Sequence, residues 1–360
     1  MLTLVIFLGI LSILILVHEF GHFIVAKKLG VRIEQFSLGF GPVIFKKKKK
    51  ETEYSLSAIP LGGFVKLAGD NLEEFTGKPD EYFSQAPGKR FWIIFCGPLL
   101  NYILGILFFW MIFFVGYPTL TTKIGGLVDG FGAQEAGLKV GDKILAVDGK
   151  KTEYWEDLQS SIYSQKEQSY VQLSVLRDGK EFSAKVRIKE KQLDDSTGTK
   201  RNFGILGVTP FDEIVIVKHG FWESSGLGVS KTLELTKLTY MALGRLVSGR
   251  LSVRESMTGP LGIFFITSKA ARMGVIAVLN LMAVLSISLA IFNLLPFPVL
   301  DGGHIFLLFI EKIRKKTLNL KTEQIINKIG ISFIIFLAVF VTYNDIVRNF
   351  GPQIAKFFLK

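Results

Sequence analysis

The sequence has a single cysteine, Cys96, among its 360 residues. No intrachain disulfide can form, and no cysteine cluster can bind a metal, so any metal site must use histidine and carboxylate. Charge is missing where the chain begins: Leu2 to Val17 holds no charged residue, and Phe23 to Ala26 continues the apolar run. This stretch has no basic residues leading into it and is longer than the apolar part of a signal peptide, so it is expected to be a retained membrane span. No internal repeat relates the two halves, which argues against a repeat-built transporter.

Apolar residues are abundant: 49% of the chain is hydrophobic, and mean hydropathy is positive, which favours a membrane protein. The candidate spans are Leu2 to Ala26, Phe91 to Tyr117, Gly274 to Leu300 and Ile329 to Tyr343, the last reaching membrane length when Ile325 to Ile346 is counted. A net charge of +12 would suit a nucleic-acid partner, but its distribution suits a membrane better. Twelve basic residues fall between Lys27 and Arg90, and Lys312, Arg314, Lys315, Lys316 and Lys321 lie between the third and fourth spans. The positive-inside rule places both loops in the cytoplasm, with the termini and the long middle region outside. The run Lys46 to Lys50 has no interleaved aromatics. It reads as a solvated hairpin end near anionic headgroups, so the lipid bilayer is an expected partner and nucleic acid is not.

Inside the first span lies His18-Glu19-Phe20-Gly21-His22. Residues four apart on a helix are rotated by about 400°, so His18 and His22 share a face and can share one metal. Glu19 lies beside the remaining coordination position, where a carboxylate can take a proton from water. Ionisable groups at membrane depth are costly and are functional candidates by default. Near the end of the third span, Asn293 to His304 carries Pro296, Pro298, Gly302 and Gly303, which break the helix and free backbone groups. Asp301 there supplies a third ligand, and a His₂Asp set leaves one position open. His304 competes for that place but reads better as a capping or supporting residue. The expected topology brings His18 to His22 and Asp301 to the same side of the membrane.

Between these sites the chain changes character twice. Ile33 to Leu38, Pro42 to Phe45, Thr52 to Ile59 and Phe64 to Leu67, punctuated by Gly39, Gly41, Gly62 and Gly63, read as a small sheet against the membrane, either a structural bundle or an edge for an extended substrate. Asn101, in the second span, is expected to hydrogen-bond a neighbouring helix. From Pro118 to Pro210, charge and alternation replace continuous apolarity. Trp155 to Ile162 suits a short helix, and Val171, Leu173 and Val175 alternate up to the Arg177-Asp178-Gly179-Lys180 turn, with Phe182, Ala184, Val186 and Ile188 alternating after it. Phe221 to Arg250 reads as a membrane-surface helix or as packing for the β domain.

The run Ala136-Gly137-Leu138-Lys139-Val140-Gly141-Asp142-Lys143-Ile144-Leu145-Ala146-Val147-Asp148-Gly149 resembles bacterial PDZ domains, whose peptide groove would fall at Phe203, Gly204, Ile205, Leu206 and Gly207. The whole chain resembles the site-2 protease family of intramembrane zinc metalloproteases, most closely the bacterial regulator of sigma-E protease group. The motifs are His18 to His22, Phe36 to Gly41 with Ile59 to Lys66, Gly97-Pro98-Leu99-Leu100-Asn101, Gly259-Pro260-Leu261-Gly262-Ile263 and Asn293 to His304. The resemblance implies one zinc on His18, His22 and Asp301, with Glu19 activating water. It also implies a substrate backbone held by Asn293, Pro296 and Pro298 and by the sheet residues Gly39, Phe40, Gly41, Gly62 and Gly63. The implied substrate is a single-span membrane protein, pre-trimmed by another protease and filtered by an outer PDZ region. The stretch 118–210 leaves room for one PDZ domain, where the enterobacterial type has two.

The expected architecture is a polytopic α-helical membrane protein of about four transmembrane helices, with a membrane-associated β-sheet and one inserted extracytoplasmic PDZ-like domain. Its parts are 1–117 (first membrane segment), 118–210 (PDZ-like), 211–273 (amphipathic linker) and 274–360 (second membrane segment). The expected location is the bacterial inner membrane, with the active site toward the cytoplasm. The competing readings are a membrane zinc transporter, a non-catalytic PDZ scaffold and a membrane-anchored protease of soluble chains.

Overall fold

The computed structural model describes residues 1–358 except 72, 164, 166–168, 195–199, 253–256 and 316–319. It divides into two compact units, 1–112 with 224–240 and 252–360, and 113–223 with 241–251. Among the described residues, four helices are long and apolar enough to cross a membrane: Leu2–Lys28, Pro87–Val115, Val275–Asn293 and Gln324–Arg348.

The chain opens with α1 (Leu2–Lys28), followed by β1 (Ile33–Lys49) and β2 (Thr52–Leu67). These two long strands fold on themselves into a sheet of four segments. Residues 35–38 pair on one side with 63–66 and on the other with 53–56, while 53–57 pair in turn with 43–48. The bend falls at Gly39 and Gly41, whose φ of +89° and +84° only glycine adopts readily. The order across the sheet is therefore 63–67, 33–38, 52–57, 43–49, and its two edges are the first and last of these. Helix α2 (Pro87–Val115) then runs through Pro98. It stops at Val115, and Tyr117, expected to lie within the span, instead begins a strand.

That strand, β3 (Tyr117–Leu120), opens a β-rich unit with β4 (Ile124–Leu127), α3 (Gly132–Glu135), β5 (Lys143–Val147), β6 (Lys150–Lys151), α4 (Trp155–Tyr163), β7 (Tyr170–Arg177), β8 (Lys180–Arg187), β9 (Lys189–Asp194), β10 (Lys200–Ile205), β11 (Val208–Pro210) and β12 (Ile214–Val217). A four-stranded sheet runs β6-β5-β7-β8. Its hairpin turns use Asp148-Gly149 and Asp178-Gly179, all four with positive φ, as two-residue turns of the right twist require. The inward residues Val171, Leu173, Val175 and Val186 are fully buried with Ile124, Ile144, Leu158 and Ile188, each contributing about 1.5–3 kcal/mol. Because β12 pairs with β3, this unit reaches beyond Pro210.

Helix α5 (Phe221–Val247) follows. Its central part lies against α2: Tyr102 Oη is 2.9 Å from Thr236 Oγ1, and Gly228 backs onto the Trp110 amide. This contact answers the expectation of β-domain packing with packing on an apolar helix. Then come α6 (Pro260–Met273), α7 (Val275–Asn293), α8 (Asp301–Arg314) and α9 (Leu320–Phe358). The buried Asp345 carboxylate of α9 accepts the Gly259 and Gly262 amides at the start of α6, at 3.2 and 2.8 Å, satisfying donors a helix start leaves open. Helix α7 ends at Asn293, before the expected Leu300, because Pro296 and Pro298 cannot continue it.

Candidate metal centre

His18 and His22 lie one turn apart on α1, and glycine makes room for both rings. A Cβ on Gly21 would stand 2.2 Å from the Cys96 carbonyl oxygen, and one on Gly97 would stand 2.4 Å from His22 Nε2 and 3.1 Å from His18 Cε1. The backbones of α1 and α2 touch here. The imidazoles occupy space that a side chain at position 97 would fill.

The third group comes from α8. Cβ atoms on Gly302 and Gly303 would lie 2.3 Å from the Leu294 and Leu295 carbonyl oxygens and 2.1 Å from that of Phe297, so the first turn of α8 is pressed onto the preceding loop. Asp301 then faces the histidines. His18 Nε2 is 3.1 Å from Asp301 Oδ2, His22 Nε2 is 3.6 Å from Oδ1, and the two Nε2 atoms are 3.2 Å apart.

The protons can be assigned from the neighbours. His22 Nδ1 lies 2.9 Å from the Ile93 carbonyl oxygen, which can only accept, so Nδ1 carries the proton and the neutral ring presents a lone pair at Nε2. Asp301 Oδ2 is buried without a hydrogen-bond donor. Lone pairs thus converge, an arrangement that repels itself unless a cation or an added proton lies between them. Tetrahedral zinc, with bonds of about 2.0–2.1 Å, keeps its donors about 3.3 Å apart. The two Nε2 atoms are near that distance and each has an Asp301 oxygen within 3.6 Å, so the residues fit zinc with one position left over once the carboxylate turns one oxygen to it.

Around the three donors stand two asparagines. The Asn101 side-chain amide is fully buried and lies 3.4 Å from His18 Nδ1. With its oxygen turned to that atom it accepts the Nδ1 proton and leaves Nε2 free to ligate, the role that Ile93 plays for His22. Sequence reasoning assigned Asn101 only to helix packing; its spacing from Gly97, one turn away on the face that meets the histidines, was the available signal. The Asn293 amide nitrogen is 3.5 Å from His18 Nε2, beside the ring nitrogen that faces Asp301. Glu19 meets the sheet: a Cβ on Gly63 would come within 3.5 Å of its Cγ, and the Val65 backbone lies near its carboxyl.

The remaining expected residues separate into groups. Gly63 belongs with Glu19, whereas Gly39, Phe40 and Gly41 form the bend of the sheet. A Cβ on Gly62 would strike the Phe40 ring, which stacks on Phe64 at 6.3 Å. Pro298 packs on Gly330 of α9, and Pro296 lies in the loop between α7 and α8. His304 lines a cavity of about 270 Å³ with His22, Asp301, Asp70, Arg90 and Glu311, and is not one of the three donors that converge among the described residues. In the β-rich unit, Gly204 to Gly207 border a cavity of about 160 Å³ against Trp155, Leu158 and Tyr163 of α4. Phe203 stacks on Tyr163 at 5.0 Å, and the Leu206 side chain belongs to the buried core.

Two histidines on the apolar helix α1 and an aspartate at the start of α8, with a carboxylate alongside and the apolar helices α2 and α7 packed around them, define a membrane metalloprotease class of site. Peptidase family M50 matches residues 6–337, and the chain belongs to that family and is a zinc metalloprotease. It is 30% identical to the regulator of sigma-W protease RasP of Bacillus subtilis over 97% of this chain and 99% of that protein. It is 29% identical to the regulator of sigma E protease of Haemophilus influenzae, over 95% of this chain and 98% of that protein. Among solved structures, the PDZ domain of an SdrC-like protein from Listeria innocua matches 26% of this chain and 96% of its own at 17% identity, with a TM-score of 0.21.

Proposed function

We propose that His18, His22 and Asp301 hold the zinc of this protease and that Glu19 is its general base, acting on a peptide bond in or beside the single membrane span of a substrate protein. The observation that carries this reading is the convergence of three lone-pair donors next to a carboxylate that touches a sheet edge. Zinc supplies polarisation of the scissile carbonyl and lowers the pKa of water toward about 7. Glu19 takes the proton of the attacking water and passes it to the leaving amine, with sheet residue Gly63 packed beside its side chain. A helical substrate hides its carbonyls in its own hydrogen bonds and must unwind locally. Segment 63–67 offers replacement partners by strand addition, and the Asn293 amide, beside His18 Nε2, donates to the substrate carbonyl.

The names of the relatives, regulators of sigma-W and sigma E proteases, support a role in regulated proteolysis; the substrate of this reading is a membrane-bound anti-sigma factor that a first protease has trimmed. The charge distribution supports an inner-membrane location with the metal toward the cytoplasm and a PDZ-like region outside. Membership of a peptidase family, together with Glu19 beside the donors, removes the ground for a transporter or a scaffold.

The test is cleavage of a single-span reporter with a short outer domain. Glu19→Gln should lower the rate by about 10²–10⁴-fold at unchanged zinc content, and equal product from both proteins would refute the base assignment. Asn293→Ala should reduce cleavage while zinc is retained; unchanged cleavage would remove its role on the substrate.

A further inference from the structure

The membrane-side sheet has two edges. One, at 63–67, meets Glu19. The other, 43–49, is paired on one side only, and its composition changes abruptly along its length. Val43, Ile44 and Phe45 are followed by Lys46 to Lys49 in the strand and by Lys50 at the turn, with a left-handed φ of +56°. Ile44 is 70% exposed and Phe45 60% exposed. The neighbouring acids are Glu51 in the turn and Glu53, which lies 3.7 Å from Lys46 and opposite Lys48 in the ladder. Five lysines thus face two glutamates.

We infer that segment 43–50 is a binding surface for anionic lipid headgroups, which sets the depth of the catalytic sheet edge in the bilayer. The inference rests on the reading above that this sheet meets the cytoplasmic leaflet. Ile44 is the extra residue of a bulge between the pairs Val43–Ser57 and Phe45–Leu56, so exposed Val43, Ile44 and Phe45 form one apolar end beside the lysines. The lysine run selects an anionic surface by charge, and the adjoining apolar end selects lipid over a soluble polyanion. At about 3.3 Å per residue, the apolar residues form a band of about 10 Å and the strand lysines one of about 13 Å, following the passage from acyl boundary to phosphate layer. The basic band carries no aromatic residue on which a nucleobase could stack.

The consequence for proteolysis is geometric. Three strand spacings of about 4.8 Å separate the two edges, and each neighbouring pair of segments is joined by a ladder, with bulges between Ile33 and Gln35 and between Val43 and Phe45. Holding the basic edge at the headgroups therefore holds the edge beside Glu19 about 14 Å away across the sheet. The peptide bond presented to Glu19 should shift along the substrate when that anchor is lost.

The experiment uses full-length protein carrying Glu19→Gln, so that no cleavage is involved, with Cys96→Ser and a nitroxide on Ile44→Cys. The protein is reconstituted in phosphatidylcholine vesicles with or without phosphatidylglycerol, and zinc retention serves as the check on folding. Phosphatidylglycerol should move the probe toward lipid-soluble oxygen and away from a water-soluble relaxant, and added salt should weaken the shift. Replacing Lys46, Lys47, Lys48 and Lys49 by Gln should remove it, at about fivefold in surface affinity per lysine. Equal accessibility in both lipids would overturn the inference, as would a full response in the glutamine variant. A shift reproduced by soluble glycerol phosphate in phosphatidylcholine alone would mark a free-anion site and also overturn it. Reaction of the unlabelled Ile44→Cys protein with an impermeant thiol reagent in oriented vesicles reports sidedness separately.

Discussion

Asp142 in the β-rich unit and Asp301 in the metal centre are both shielded carboxylates, and their surroundings are opposite. Asp142, 1% exposed, accepts from Arg177 Nε at 2.6 Å, Arg177 Nη2 at 2.7 Å and the Lys139 amide at 2.8 Å. Asp301 faces two imidazole nitrogens and has a buried oxygen with no donor. In the first region the sequence supplies every partner a buried charge needs, and the product is stability. In the second the partners are withheld, which suits a cation between the donors, as proposed above. The two regions should therefore fail independently, each by its own kind of substitution.

The largest effect is expected where a methyl group enters the metal centre. Gly97→Ala places a Cβ 2.4 Å from His22 Nε2 against backbone-packed helices, so the ring must turn away. Zinc content and reporter cleavage should fall by on the order of 10²-fold, while Gly9→Ala, with no atom within 4 Å of its added Cβ, should change neither. Full zinc loading in Gly97→Ala would show that the close approach of α1 and α2 does not shape the site.

The converse substitution should spare zinc and weaken the β-rich unit. Asp142→Asn leaves Arg177 without its carboxylate, at a cost of about 1–3 kcal/mol. Limited proteolysis of the full chain should then cut within 113–223 earlier than in wild type, at unchanged zinc content. Loss of zinc in this variant would mean that the regions do not fail separately. A smaller effect is expected at Asn101. Asn101→Ala should lower zinc affinity by about tenfold, and Asn101→Asp, which keeps an acceptor for His18 Nδ1–H, should recover most of it. Equal losses in both would reduce Asn101 to helix packing.

The difference between the regions also explains what was legible beforehand. Strand alternation, Asp-Gly turns and the H-E-x-x-H spacing are local signals, and the elements they announced, β7, β8, α4 and the histidine face of α1, are present. The sheet segments were announced as well, but their order was not, because Gly39 and Gly41 let one strand serve two pairings. Gly97, Asn101 and the Ile93 carbonyl act on the histidines from another helix, about 75 positions on in sequence; their meaning exists only once α1 and α2 are in contact. Gly302 and Gly303 read as helix breakers, yet they begin α8 and press it on the loop that aims Asp301.

The smallest expected effect is on pH dependence, and it again separates the regions. Burial by itself would raise the Asp142 carboxyl, but hydrogen bonds from Arg177 and the Lys139 amide outweigh it and hold the group below the ordinary aspartate range. Its folded value is thus lower than its unfolded value of about 3.9. The folded unit then binds fewer protons than the unfolded one, so the contribution is complete above about pH 4 and disappears as pH falls through the depressed folded value. Protease resistance of 113–223 in wild type should therefore exceed that of Asp142→Asn at neutral pH, with the gap closing only in strong acid. A gap that stayed constant down to the lowest pH would mean that the difference between the two proteins does not come from the Asp142 charge.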